Sequence, residues 1–110
     1  MQTLVELPEF QRRASALLTE MEKQNLIDYL AKNPRSGIIM RDTGGIRKFR
    51  WALGNKGKSS GARVIHYYHD GSMPLFLLTV FGKSEKDNLS QAERNELGKL
   101  TRLLVKNYGG

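Results

Sequence analysis

The sequence predicts an α+β domain in the order β-α-α-β-β-β-α, an antiparallel sheet with helices packed on one face. Three observations carry that prediction. S/T-x-x-E capping boxes precede stretches with apolar residues at helical spacing. Three runs rich in β-branched and aromatic residues follow one another between residues 46 and 81, and turn-forming residues separate them. A chain of 110 residues has room for one core, so residues 1–110 are read as a single domain.

Residues 3–7 (TLVEL) read as a short strand, ended by Pro8, which suits the first turn of a helix. Over residues 8–18, Phe10, Ala14, Leu17 and Leu18 recur at helical spacing. A second helix is expected from Thr19, because Thr19 and Glu22 match a capping box; Leu26, Ile27 and Leu30 make its apolar stripe, and Asn33-Pro34 stops it. Residues 35–45 read as a connector with turns at Ser36-Gly37 and Asp42-Thr43-Gly44-Gly45. Residues 46–53 alternate, with Lys48 and Arg50 on one strand face and Phe49 and Trp51 on the other. Residues 63–69 form the next strand, His69-Asp70-Gly71-Ser72 a hairpin turn, and residues 73–81 a central strand apolar on both faces. Ser90 and Glu93 cap a last helix over residues 90–106, with Leu97, Leu100, Leu103 and Leu104 as its buried stripe. The sheet face away from the helices is then free to carry Lys48 and Arg50.

Composition narrows the function. The chain holds 18 Lys and Arg against 11 Asp and Glu, a net charge of +7, which suits a polyanionic partner. The excess is local. Arg47, Lys48, Arg50, Lys56, Lys58 and Arg63 fall between residues 46 and 63 with no acid among them. There is no cysteine, which excludes disulfides, thiolate metal sites and a cysteine nucleophile. No His, Asp and Glu grouping has metal-ligand spacing, so no metal and no cofactor are expected. The opening MQTLVELPEF lacks an export signal and no apolar run could span a bilayer, so a cytoplasmic location and no membrane partner are expected.

Strand residues two apart point the same way, so Lys48 and Arg50 present neighbouring cations. The glycine-framed residues 54–61 add Lys56 and Lys58 where backbone can approach a phosphate closely. Arg63 opens the strand that should pair with the first and come near Lys48 or Arg50. Two chemistries fit such a cluster: plain polyanion binding, or phosphoryl transfer in which an RNA 2′-hydroxyl attacks while cations stabilise the phosphorane. His66 and His69 read as packed or surface residues, and Phe49 and Trp51 as core. One of Tyr67 and Tyr68 could reach the site.

The run DTGGIRKFRWALGNKGKSSGARVIHYY, followed by PLFLLTVFGKSEKDNLSQAERNEL, resembles the RelE/ParE superfamily of bacterial type II toxins, closest to its HigB/RelE-like branch. The similarity rests on Thr43-Gly44-Gly45-Ile46-Arg47-Lys48-Phe49-Arg50, on the glycine-rich segment through Gly57-Lys58-Ser59-Ser60-Gly61-Ala62-Arg63-Val64-Ile65, and on Gly82-Lys83-Ser84-Glu85 with Leu89 before the final helix. The resemblance implies a toxin that enters the ribosomal A site and cleaves mRNA there without a metal. It implies a cognate antitoxin as partner, with DNA met only indirectly through that antitoxin. By position it implies catalytic roles for Lys48, Arg50, Arg63 and Lys83, and RNA or ribosome contacts for Arg47, Lys56, Lys58 and Tyr67. Relatives that carry an arginine after the Lys83 equivalent and a base-stacking tyrosine shortly beyond differ from this chain, which reads Ser84 and Asp87-Asn88-Leu89-Ser90. A gyrase-inhibiting protein of the ParE type and a non-catalytic nucleic-acid-binding domain are the alternative readings.

Overall fold

The described residues form five strands and three helices: β1 (Leu4–Glu6), α1 (Pro8–Leu17), α2 (Glu20–Lys32), β2 (Ile38–Ile39), β3 (Ile46–Trp51), β4 (Ala62–Tyr67), β5 (Leu75–Gly82) and α3 (Gln91–Tyr108). The computed structural model describes residues 2–52, 61–83, 85 and 88–108; Lys56, Lys58, Ser84 and Asp87 lie outside the described residues. The α+β class and the predicted elements are all present. Pro8 occupies the first turn of α1. Thr19 and Glu22 close a reciprocal capping box on α2. Ser90 and Glu93 do the same for α3, with Ser90 N donating to Glu93 Oε1 at 2.8 Å and Glu93 N to Ser90 Oγ at 3.1 Å. Each box satisfies backbone donors that the helix itself leaves unpaired.

The sheet order is β1-β5-β4-β3-β2. It is mixed rather than antiparallel throughout, because β1 runs parallel to β5, with Leu4 beside Leu75 and Glu6 beside Leu77. The other ladders are antiparallel. The connector also contributes a strand, β2, whose Ile38 and Ile39 pair with Lys48 and Arg47.

The helices do not share one face. Phe10 and Ala14 of α1 and Leu26 and Leu30 of α2 pack with Val64, Leu77 and Val80. Leu97, Leu100 and Leu104 of α3 pack with Ile46, Ile65 and Phe76 on the opposite face. Val64 and Ile65 are adjacent in β4, so the pleat itself assigns them to different layers. Every residue of β4 and β5 is buried, and a strand apolar on both sides needs cover on both. Leu103, expected in the α3 stripe, is 57% exposed. At 3.6 residues per turn it lies about 120° round the helix from Leu97.

Candidate nucleic-acid interface

The β3–β4 register decides which cations meet. Arg50 stands directly opposite Arg63, and Lys48 opposite Ile65. Cross-strand partners share a face, so Lys48, Arg50 and Arg63 lie together on the α3 side of the sheet. Arg50 is exposed, whereas Arg63 is only 3% exposed, so packing holds its planar donor fork in place. Phe81 is the register partner of Arg63 on β5. The ladder continues one step past β5, where Lys83 N donates to Gly61 O at 3.0 Å. Alternation from Phe81 then brings half-buried Lys83 to the Arg63 side.

α3 covers the other end of that face. Gly44 approaches Thr101 so closely that a Cβ would lie 2.9 Å from its Oγ1, and a Cβ at Gly98 would meet Asp42 O at 3.6 Å. Thr43 is fully buried; its hydroxyl donates to Met40 O at 2.8 Å and accepts from Ile46 N at 3.0 Å. The Thr-Gly-Gly turn therefore docks the start of β3 onto α3, with Gly44 and Gly45 at φ 76 and 111. Its work is architectural. At the other end of the strands lies a cleft of about 260 Å³ lined by Arg50, Trp51, Ala52, Gly61 and Arg63.

The segment after β5 borders the cationic row. Glu85 Oε1 accepts from Gly82 N at 3.2 Å, and its Oε2 accepts from Arg13 Nη1 at 3.0 Å. This carboxylate fixes the turn that carries Lys83 and ties it to α1. Lys48 Nζ donates to Asn88 Oδ1 at 3.4 Å. Asn88 had no role in the sequence reading, and forty positions of separation hide the contact from any local pattern.

Two residues with expected RNA roles stand elsewhere. Arg47 alternates to the opposite face of β3, where its Nη1 donates to Arg35 O at 2.9 Å. Tyr67 is the partner of Ile46, at the α3-covered end, and is 4% exposed. Its hydroxyl lies 3.4 Å from His69 Nδ1. Burial first, and then Asp70, push the Tyr67 phenol above its ordinary value, so it stays protonated. The structure thus brings together Lys48, Arg50, Arg63 and the backbone position of Lys83, and does not bring Arg47 or Tyr67 to them.

Behind the cations lies an aromatic layer. Phe49 stacks on Tyr29 at 5.5 Å and packs against Trp51 at 5.8 Å. His66 meets Phe49 edge-on and lies 3.3 Å from Pro34 O. That oxygen only accepts, so Nε2 carries the proton, and buried Nδ1 has no partner among the described residues. Burial lowers the His66 pKa to about 4, and the nearby Arg47 charge pushes the same way. Between the ordinary value of 6.5 and about 4 the unfolded chain takes up a proton that the folded chain refuses. Stability should therefore fall as pH drops through that window, by up to about 3 kcal/mol. Urea midpoints measured from pH 7 to pH 4 check this: His66→Leu should flatten the upper part of the slope, and an unchanged slope would remove His66 as its source.

Among the described residues no helix is long and apolar enough to cross a membrane, and no three His, Asp or Glu gather as a metal site would need. The sequence model for the RelE toxin of the RelE/RelB toxin-antitoxin system matches residues 8–108, which takes in both helical layers, β2 to β5 and the whole cationic row. The protein with this two-sided helical cover and its paired arginines belongs to the RelE toxin family, the toxin side of a toxin–antitoxin pair.

Proposed function

We propose that this toxin is a ribosome-dependent mRNA endoribonuclease of the HigB/RelE-like branch, acting in the cytoplasm and in the ribosomal A site. The observation that carries the reading is the direct pairing of Arg50 with Arg63, with Lys48 on the same face, beside a cleft that both arginines line. Two guanidinium groups set opposite one another on a sheet offer an anion several charged donors at once. A phosphodiester fits that arrangement.

In the proposed reaction the RNA 2′-oxygen attacks phosphorus, the bond to the 5′-oxygen breaks, and a 2′,3′-cyclic phosphate and a 5′-hydroxyl end result. Arg50 and Arg63 stabilise the extra negative charge of the phosphorane. Lys48 and Lys83 flank the phosphate and serve the proton transfers to and from the two oxygens. No metal enters the scheme. Lys56 and Lys58 extend the basic track towards mRNA or ribosomal RNA, and Arg47 and Tyr67 are assigned supporting roles in the fold. The cognate antitoxin silences the toxin by covering this face or by barring entry to the ribosome, and contact with DNA passes through the antitoxin.

The test is to induce the toxin alone in cells and map the 5′ ends of cellular mRNA. Cuts confined to translated regions and in phase with codons are expected. Intact mRNA sinks the proposal; intact mRNA with a DNA-damage response would point to gyrase instead.

A further inference from the structure

We infer that Asn88 is a positioning residue that holds the Lys48 ammonium over the phosphate site, an inference that rests on reading Lys48, Arg50 and Arg63 as the RNA-contacting face. The mount is built in steps. Leu89 is buried beside Ile46 and Ile65 in the α3-side core. Its backbone N–H donates to Asn88 Oδ1 at 2.9 Å, and the same oxygen accepts from Lys48 Nζ at 3.4 Å. Immediately afterwards Ser90 and Glu93 lock the first turn of α3. Core packing thus fixes Leu89, Leu89 fixes the Asn88 amide, and the amide gives a flexible lysine a defined resting place. Both partners of the Asn88 oxygen are obligate donors, so the orientation of the amide follows from chemistry.

The chemical type of the tether matters. An amide oxygen is neutral, so the ammonium keeps its whole charge for a phosphate. A carboxylate at the same place would form an ion pair and compete with the substrate. The 3.4 Å separation is also long for a hydrogen bond, so the ammonium can transfer to a phosphate oxygen with little loss. A neighbouring arginine could not be held this way without losing part of its fork, whereas lysine presents three rotatable donors.

The experiment compares the purified native chain with Asn88→Ala and Asn88→Asp, each also in a Lys48→Ala background. Three quantities are read: mRNA cleavage on translating ribosomes, affinity for a short single-stranded RNA, and melting temperature. Asn88→Ala should lower kcat about ten-fold with a smaller change in KM. In the Lys48→Ala background it should change little further, because the group it positions is gone. Asn88→Asp keeps an acceptor for Leu89 N–H and adds negative charge near the α3 N-terminus, so its melting temperature should hold or rise. Its cleavage and RNA affinity should nevertheless fall below those of Asn88→Ala.

A purely structural role predicts the reverse, with activity tracking melting temperature. The inference is overturned if Asn88→Ala costs the same factor with and without Lys48, or if Asn88→Asp cleaves like the native chain. If the native chain neither cuts nor binds RNA, the reading of the whole face fails and the inference falls with it. Cleavage that is indifferent to Asn88 removes this inference alone.

Discussion

Arg50→Glu should abolish mRNA cleavage and growth inhibition while leaving the fold intact. The register explains why the two effects separate. Arg50 is exposed and faces Arg63 directly across the β3–β4 ladder. An exposed side chain carries little of the packing that holds the sheet together, so its replacement should leave the melting temperature within a few degrees of native. The same change places a carboxylate where the phosphorane charge would develop. Loss of one charge-stabilising donor in a preorganised site typically costs about 100- to 1000-fold, and reversal of its sign should cost at least that. Cleavage in a translating extract gives the first number and a thermal melt the second. A variant that still cuts mRNA at the native rate would place the reacting phosphate away from the arginine pair. Arg63 is a poorer probe, because a side chain buried to 3% exposure confounds loss of chemistry with loss of packing.

The sequence carried the parts of the fold that local chemistry dictates. Both capping boxes form as their spacing requires, and the alternation of residues 46–51 sends Phe49 and Trp51 to the aromatic layer and Lys48 and Arg50 to the other side. The partner of Arg63 was not legible. Either Lys48 or Arg50 was compatible with the pattern, because the register depends on how residues 52–61 turn, and no local rule sets that. Strand direction was equally hidden. β1 ends at Glu6 and β5 begins only at Leu75, and their parallel ladder follows from the path of everything between. The placement of α3 did leave a signal. Residues 73–81 are apolar on both faces, and a strand with two apolar faces demands cover on two sides. Assigning all helices to one side ignored that demand.

The site shows the same division. Lys48, Arg50 and Arg63 could be named from charge and alternation alone. Arg47 belongs to the same basic run, yet its odd position in the alternation turns it away to bond the Arg35 carbonyl. Counting cations could not separate it from its neighbours; following the pleat could. Asn88 was beyond reach for a different reason. A neutral side chain in an irregular segment has no periodicity to read, and its partner is forty positions away.

The second large effect concerns a glycine rather than a charge. Gly37→Ala should destabilise the protein by about 3 kcal/mol and lower its melting temperature by more than about 10 °C. Gly37 has φ +89, a region that side chains rarely tolerate. A Cβ there would press into the Lys48 carbonyl oxygen and lie 3.1 Å from Phe49 Cβ. Both obstacles belong to β3, so the clash cannot be relieved by turning a surface side chain. Either β2 lifts from its pairing with Arg47 and Lys48, or β3 shifts. The first loosens the edge strand, whose Ile38 and Ile39 are already 74% and 53% exposed. The second moves the strand that aligns Lys48 and Arg50 against β4. Gly71 supplies the control, because a Cβ there meets nothing within 4 Å. Gly71→Ala should melt within a degree or two of the native protein. If Gly37→Ala also melts like the native protein, then the close approach of Gly37 to β3 does not set the edge of this sheet. If it melts low but retains native cleavage at temperatures where it is folded, β2 yields and β3 keeps its register. A loss of cleavage in the folded state would show that β3 moves, and that the turn at Gly37 holds the strand that carries Lys48 and Arg50 in place.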